Sequence, residues 1–138
     1  MGARLRSELQ RRGFRVRDPV GNFALLRLIQ EAPFALPAGY LDLLRATNGG
    51  AGGLGSGAFY LIAAEQVLAE HRGFGVDEHA PDHLLFATDG EGSFFLLDES
   101  GRVRRCRSAE VQEPALWRLA YESFEGLTRA LEASPGSL

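Results

Sequence analysis

The sequence contains no lysine, so all 15 of its basic residues are arginines. This absence excludes mechanisms that require a lysine amine, including the phosphate-binding lysine of a P-loop, a lysine Schiff base and a lysine general base. Only one cysteine is present, Cys106, so neither an internal disulfide bond nor a multi-cysteine zinc site can form. Such cysteine usage predicts a reducing, cytoplasmic environment.

Long apolar runs are also missing. The longest, from Ala58 to Ala64, is far shorter than the ~20 residues of a membrane helix. The arginines near the N-terminus are not followed by an apolar stretch, which argues against a secretory signal. The sequence therefore predicts a cytoplasmic protein with no membrane partner.

The length of 138 residues is typical of one domain. Apolar residues make up 45% of the chain, so a domain of this size can bury a core without a disulfide, a metal or a cofactor. We expect a single domain with an arginine-rich segment over residues 1–21, a core over residues 22–133 and a tail over residues 134–138.

Apolar spacing and turn residues predict four helices and four strands in the first 107 residues. The predicted helices lie before Gly13, between Asn22 and Pro33, between Pro37 and Asn48, and from Ala63 to His71. The predicted strands are Ala58–Ile62, Leu84–Ala87, Phe94–Leu97 and Arg102–Arg107. Asn48–Gly57, in which six of ten residues are glycine, is predicted to be a mobile surface loop, and Gly73–Asp82 a polar loop.

The C-terminal part carries apolar residues at helical spacing, which predicts one long amphipathic helix. Its apolar stripe consists of Leu116, Leu119, Ala120, Phe124, Leu127, Ala130 and Leu131. Ser134-Pro135-Gly136 is predicted to end it. The last three predicted strands are joined by short turns and should form an antiparallel meander. Together these elements predict an α+β fold, with a meander sheet packed by helices.

Charge is unevenly distributed. Residues 65–99 contain nine acidic residues and one basic residue, Arg72, whereas the whole chain has a net charge of −3. Most of these acids lie in predicted loops and turns, where they should project into water and create a negative local potential. The candidate partner-binding residues are Asp77, Glu78, Asp82, Asp89, Glu91, Asp98 and Glu99.

Two motifs suggest other chemistry, but each is explained more simply by structure. Gly50, Gly52 and Gly55 match a dinucleotide fingerprint, yet a helix precedes them and a strand follows, the reverse of the required order. His79 and His83 lie among acids that metals favour, but Pro81 interrupts any helix that would align them. A metal site is therefore not expected, and a metal-dependent enzyme is the least favoured alternative.

The last predicted strand contains Cys106 and four arginines. Alternation places Cys106 opposite its neighbours Arg105 and Arg107, and no histidine is near in sequence to act as its base, so a structural cysteine is expected. The arginines could bind phosphate, but the acidic net charge and the lack of a stacking surface argue against a nucleic-acid partner. We expect them to be solvated and to pair with acids beside them in space.

The order of several motifs resembles the SUKH superfamily, which includes fungal cell-wall-synthesis regulators and bacterial toxin-immunity proteins. The resemblance rests on Leu36-Pro37, Tyr40 to Leu44, Asn48-Gly49-Gly50, Leu85-Phe86-Ala87, Asp89 to Gly92, Phe94-Phe95, Leu97-Asp98 and the helix around Phe124. It covers about residues 22–133. The arginine-rich N-terminal segment has no counterpart that we can place, and the only tryptophan, Trp117, lies later than the family's usual one.

The resemblance implies an α+β domain that binds other proteins and catalyses no reaction. Its implied function is immunity: the protein would neutralise a cognate toxin, often a nuclease, by direct binding. The acidic residues would then face a basic toxin domain, with fast electrostatic association. The alternative is a regulatory or scaffold module without a toxin. We expect a monomer or a weak homodimer.

Overall fold

The computed structural model describes residues 2–132, so the predicted tail over residues 134–138 lies outside the described part of the chain. Six α-helices occur in that part: α1 (Gly2–Arg11), α2 (Asn22–Glu31), α3 (Ala38–Ala46), α4 (Ala64–Gly73), α5 (Val76–His79) and α6 (Phe124–Ala130). The strands are β1 (Arg15–Val16), β2 (Gly50–Leu54), β3 (Gly57–Leu61), β4 (His83–Thr88), β5 (Ser93–Asp98), β6 (Val103–Arg107), β7 (Arg118–Tyr121) and β8 (Leu131–Glu132). Among the described residues, no helix has the length and apolar composition needed to cross a membrane.

The strands form one antiparallel sheet in which β1 to β7 lie side by side in chain order. The short strand β8 pairs with β2 at Gly53 and Leu54, whereas β1 pairs with β2 at Gly50 and Ala51. The α+β fold class and the antiparallel meander predicted from the sequence are confirmed. The meander is longer than the three predicted strands β4 to β6, because β1, β2 and β3 extend it at one edge and β7 at the other.

Hydrophobic clusters lie on both faces of the sheet, because successive side chains of a strand point to opposite sides. Along β4, Leu84 and Phe86 belong to the larger cluster, whereas Leu85 belongs to the smaller one. Helices α1, α2, α3, α4 and α6 add buried side chains to the larger cluster. The smaller cluster is completed by Val76 of α5 and by Trp117.

The arginine-rich N-terminal segment is packed into the domain. The helix predicted before Gly13 is present as α1, and it packs against α3. Leu9 and Phe14 are buried in the larger cluster. The core therefore includes residues from the segment 1–21 as well as those that follow it.

The prediction of a mobile surface loop over the glycine-rich segment is wrong. The segment forms strand β2 and a tight turn into β3. A side chain at Gly52 would collide with the ring of Phe14, and Gly50 has a φ of 113°, which favours glycine. The glycines allow Phe14 to pack directly against the strand. A high glycine content suggests a mobile segment, but in β2 the glycines permit close packing.

The long C-terminal amphipathic helix predicted from the sequence is wrong. A 3-10 turn at Pro114–Leu116 leads into β7, and α6 begins only at Phe124. Ser123 caps this helix, because its hydroxyl accepts a hydrogen bond from the backbone N–H of Gly126 at 3.1 Å. Leu116 and Leu119 are exposed instead of forming part of a buried stripe. Pairing of β7 with β6 satisfies backbone groups of β6 that would otherwise lie unpaired at the edge of the sheet. This pairing outweighs the helical spacing of the apolar residues in β7. The predicted helix end at Ser134-Pro135-Gly136 lies outside the described residues.

The predicted polar loop Gly73–Asp82 contains the short helix α5. Val76 and Ala80 are buried in the smaller cluster and anchor this helix to the sheet. Its polar residues Asp77 and Glu78 face water, as the sequence suggested. Because an apolar residue stands on either side of these acids, the segment is fixed to the fold.

Candidate functional site

The seven candidate partner-binding acids do not form one surface. Asp98 pairs with His83 at one end of the β4–β5 hairpin, whereas Asp89 and Glu91 lie in the turn at the other end. Six-residue strands place these ends roughly 17–20 Å apart. Asp82 and Glu99 lie with Asp98, and Asp77 and Glu78 lie on α5. The structure therefore separates Asp89 and Glu91 from Asp82, Asp98 and Glu99.

Asp89 is turned inward and supports the hairpin. Its carboxylate accepts hydrogen bonds from the backbone N–H groups of Glu91 at 2.8 Å and Ser93 at 2.9 Å, and forms an ion pair with Arg105 at 2.8 Å. Burial acts to raise its pKa, but the two backbone donors and Arg105 outweigh burial, so the pKa of Asp89 is lowered. The expected pairing with an acid is therefore confirmed for Arg105, whereas Arg104 contacts His83 and Arg102 contacts the hydroxyl of Ser100. The Asp89 charge is thus engaged within the fold.

Asp98 and Asp82 also have local partners. Asp98 accepts hydrogen bonds from the backbone N–H groups of Ser100 and Arg102, both at 3.0 Å, and from the Ser100 hydroxyl at 2.7 Å. Asp82 lies 2.9 Å from Nδ1 of His83, and this hydrogen bond lowers the pKa of Asp82. Among the candidate acids, Asp77, Glu78, Asp82, Glu91 and Glu99 are exposed.

The two histidines of the 77–83 segment do not converge on a common point. Nδ1 of His79 lies 3.1 Å from the carbonyl oxygen of Gly75. His83 contacts Asp82 through Nδ1 and the guanidinium of Arg104 through Nε2, at 3.3 Å. Within residues 2–132, no group of three histidine, cysteine or acidic side chains is arranged to hold a metal ion.

Cys106 is buried in the smaller cluster, as expected of a structural cysteine. Burial raises the pKa of its thiol to about 12, and the nearby carboxylate of Glu110 contributes to the increase. The thiolate is the nucleophilic form, so this side chain is unreactive at neutral pH. Arg105 lies on the other face of the sheet, with its guanidinium 5.0 Å from the ring centre of Phe95.

An exposed apolar row runs along α2. Phe23, Leu26 and Ile29 are spaced three residues apart and are 84%, 55% and 40% exposed, whereas Leu25 and Leu28 are buried. Beside Phe23, a groove of about 320 Å³ lies between α2 and α4, with Leu68 on the α4 side. We call the row and this groove the α2–α4 face.

Charged side chains border the α2–α4 face. Glu31 forms ion pairs with Arg27 at 2.8 Å and with Arg72 of α4 at 3.6 Å. Hydrogen bonding to Arg27 lowers the pKa of Glu31. An apolar centre with a polar border is the usual composition of a protein-binding surface.

A second concavity lies over β1, β2 and β3, with a volume of about 1030 Å³. Gly50 and Ala51 are in its floor, and Arg15, Arg17 and Tyr60 line it. We call it the β1–β3 trough. Glu65 at the start of α4 lines both the trough and the α2–α4 groove, so the two concavities adjoin.

Sequence reasoning predicted helix α2 but missed the exposure of its apolar row. The signal was present, because apolar residues occur around most of the helix circumference, at Phe23, Leu25, Leu26, Leu28 and Ile29. A surface helix normally presents only one apolar stripe to the core. A helix with apolar residues outside that stripe either is buried on all sides or exposes an interaction surface.

No known protein family and no curated protein matches this chain.

Proposed function

We propose that this protein is a non-catalytic protein-binding domain that neutralises a cognate toxin by direct binding. The proposal combines the resemblance of its motifs to the SUKH superfamily with the geometry of its surface. The exposed row on α2 is the observation that carries it. The partner is expected to be a basic toxin domain in the same cytoplasm, for example a nuclease.

The exposed row supports a protein partner because leaving it in water is unfavourable. Burial of a phenylalanine or leucine side chain contributes roughly 1.5–3 kcal/mol relative to exposure. Phe23 gains almost none of this within the domain, since 84% of its surface is exposed. Contiguous exposed apolar surface of this kind marks interaction sites in soluble proteins.

The neighbouring groove adds shape to this apolar surface. Binding energy in protein interfaces is concentrated in a few central residues that fill pockets and are surrounded by a polar border. The α2–α4 groove can accept an apolar side chain of the partner, while Phe23 provides an anchor beside it. The ion pairs among Arg27, Glu31 and Arg72 would form the border.

The exposed acids have a separate role in this proposal. Asp77 and Glu78 on α5 lie outside the α2–α4 face, and within residues 2–132 their carboxylates form no hydrogen bond or ion pair, unlike that of Asp89. Charges outside the centre of an interface mainly increase the association rate and its sensitivity to salt. They would attract a basic toxin, and α2 would hold it.

The test is co-expression with the toxin domain encoded beside its gene, followed by calorimetry of the purified pair. The wild-type protein should restore growth and bind the toxin. Phe23→Ser with Leu26→Ser should weaken binding at least about thirtyfold, the loss typical of central interface residues. Leu119→Ser on β7, which also removes an exposed leucine, is the matched control and should bind normally.

Two outcomes would contradict the proposal. One is a toxin that remains fully active in the presence of the folded wild-type protein. The other is equal binding by the wild type and the α2 double variant. Binding through Phe23 to a neighbouring protein that is not toxic would instead support the regulatory or scaffold module.

A further inference from the structure

The β1–β3 trough exists because one face of the sheet is covered only in part. Val76, Val111 and Trp117 cover this face where β4, β5 and β6 carry the smaller cluster. Over β1, β2 and β3 the same face is open. Arg15 pairs with Ala51, and Ala51 pairs with Tyr60, so these residues form one row across three strands.

The floor of the trough is low because its residues are small. Ala51 lies in the middle of the row, between Arg15 and Tyr60. The backbones of Arg15 and Tyr60 are two strand spacings apart, which is roughly 10 Å. Gly50 beside Ala51 has a φ of 113°, and a side chain there would collide with the carbonyl oxygen of Arg15. That side chain would also approach the buried ring of Phe14 on the core side of the sheet, so the small side chain of Ala51 is what keeps the floor of the trough low.

Two arginines give the trough its chemistry. Arg15 and Arg17 are exposed, and both line the trough. Within residues 2–132 their guanidinium groups make no hydrogen bond or ion pair, whereas Arg6 donates to the carbonyl oxygens of Arg17 and Ala46. Free guanidinium groups at a concavity suit carboxylates, which they bind in a bidentate manner.

The acids of the trough do not cancel this preference. Glu65 already accepts a hydrogen bond from the side-chain amide of Asn48 at 2.8 Å. Asp18 is the other acid in the lining. Within residues 2–132, neither carboxylate forms an ion pair with Arg15 or Arg17, so their guanidinium donors remain available to an acidic ligand.

We propose that the β1–β3 trough binds an extended acidic segment of the otherwise basic protein partner, with Arg15 and Arg17 holding its carboxylates and Tyr60 packing against an apolar side chain. This inference rests on the proposed function, since the adjoining α2–α4 face would hold the body of that partner. The volume of about 1030 Å³ is larger than a single ion requires.

The experiment uses the full-length protein and a fluorescein-labelled hexapeptide of alternating glutamate and leucine as the probe. Binding is measured by fluorescence anisotropy, and the site is mapped by amide chemical shifts of the unmodified protein. The probe should bind, bind more weakly as salt increases, and shift the signals of Arg15, Ala51 and Tyr60. The same peptide with glutamine in place of glutamate should bind at least about tenfold more weakly.

Variants test the assignment to the trough. Arg15→Gln with Arg17→Gln should weaken binding of the acidic probe at least about tenfold. Arg4→Gln with Arg118→Gln removes two exposed arginines elsewhere and should bind the probe normally. Ala51→Leu fills the floor without changing charge and should also weaken binding. Thermal unfolding verifies that each variant is folded.

Several results would overturn this inference: no binding of the probe, equal binding of the glutamine peptide, or shifts outside the trough. Stronger binding of a hexathymidylate oligonucleotide would assign the trough to nucleic acid. Toxin binding measured separately distinguishes the two proposals. If the arginine double variant binds the toxin normally, the trough inference fails and the proposed function stands. If the wild type does not bind the toxin, the proposed function fails whatever the probe does.

Discussion

His71 shows how a single residue can complete the fold without a signal in the sequence. Strand β3 pairs with β4 only at Thr88 and Ala87, so the backbone N–H of Leu85 lacks a strand partner on that side. Nδ1 of the buried His71 of α4 accepts a hydrogen bond from this N–H at 3.2 Å. This bond requires an unprotonated Nδ1. Burial lowers the pKa of His71, Asp77 partly opposes the decrease, and Arg72 adds to it.

This arrangement predicts a loss of stability in mild acid. In the unfolded chain, His71 takes up a proton as the pH falls below about 6.5, its ordinary pKa, while in the folded protein it resists protonation. The free energy of unfolding should therefore decrease from pH 7 towards pH 5. His71→Gln, which cannot take up a proton, should flatten this dependence.

His79→Gln is the matched control, because His79 is exposed. Urea denaturation of the three proteins at several pH values is the measurement. Identical pH dependence in all three would show that His71 does not control acid stability.

At the scale of secondary-structure elements, β2 and α6 show where local patterns are ambiguous. Glycine-rich sequence occurs both in mobile loops and in strands that another group approaches closely. Apolar spacing near Leu119 fits a helix, but in the folded protein this residue lies opposite Arg104 in a strand pair. Such alternatives are decided by contacts with distant residues, which the local sequence does not contain. Here Phe14 packs against β2, and β6 pairs with the strand that contains Leu119.

The packing of β2 predicts a contrast between two glycines. Gly52→Ala should lower the free energy of unfolding by about 1–3 kcal/mol, because the added methyl group meets the ring of Phe14. Gly57→Ala, in the adjacent strand, places its methyl group no closer than 3.8 Å to the carbonyl oxygen of Leu54, and should change stability by less than about 0.5 kcal/mol. Chemical denaturation measures both. Two equal and small effects would indicate that β2 is not packed as described.

At the scale of the whole molecule, the first and the last of the described strands meet at β2. Strand β1 pairs with one part of β2 and β8 with another, and the guanidinium of Arg12 donates to the carbonyl oxygens of Thr128 and Leu131 at 3.1 Å. The N-terminal segment is thus tied to the last strand as well as to the core. The domain should unfold as one cooperative unit.

A cavity in α1 tests this cooperativity. Leu9→Ala should reduce the free energy of unfolding by about 2–5 kcal/mol, because Leu9 is completely buried. Leu26→Ala removes the same atoms from the exposed α2 row and should change stability by less than about 0.5 kcal/mol. Fluorescence and circular dichroism should report a single coincident transition for each. A separate early transition in Leu9→Ala would mean that residues 1–21 form an independent unit.

The sequence by itself determined much of this protein. The spacing of apolar residues predicted α1 to α4, β3 and the three strands β4 to β6, and Asp89 to Gly92 predicted the turn between β4 and β5. These elements are determined locally, because their periodicity and turn residues act over a few positions.

Only the tertiary structure decided which residues reach the surface. It turned Asp89 inward towards Arg105, divided the acids predicted to bind a partner, and left Phe23 exposed beside a groove. It also placed Arg15, Ala51 and Tyr60 in one row, although they are far apart in the sequence. Exposure and proximity depend on which distant segments pack together, and no single segment encodes that.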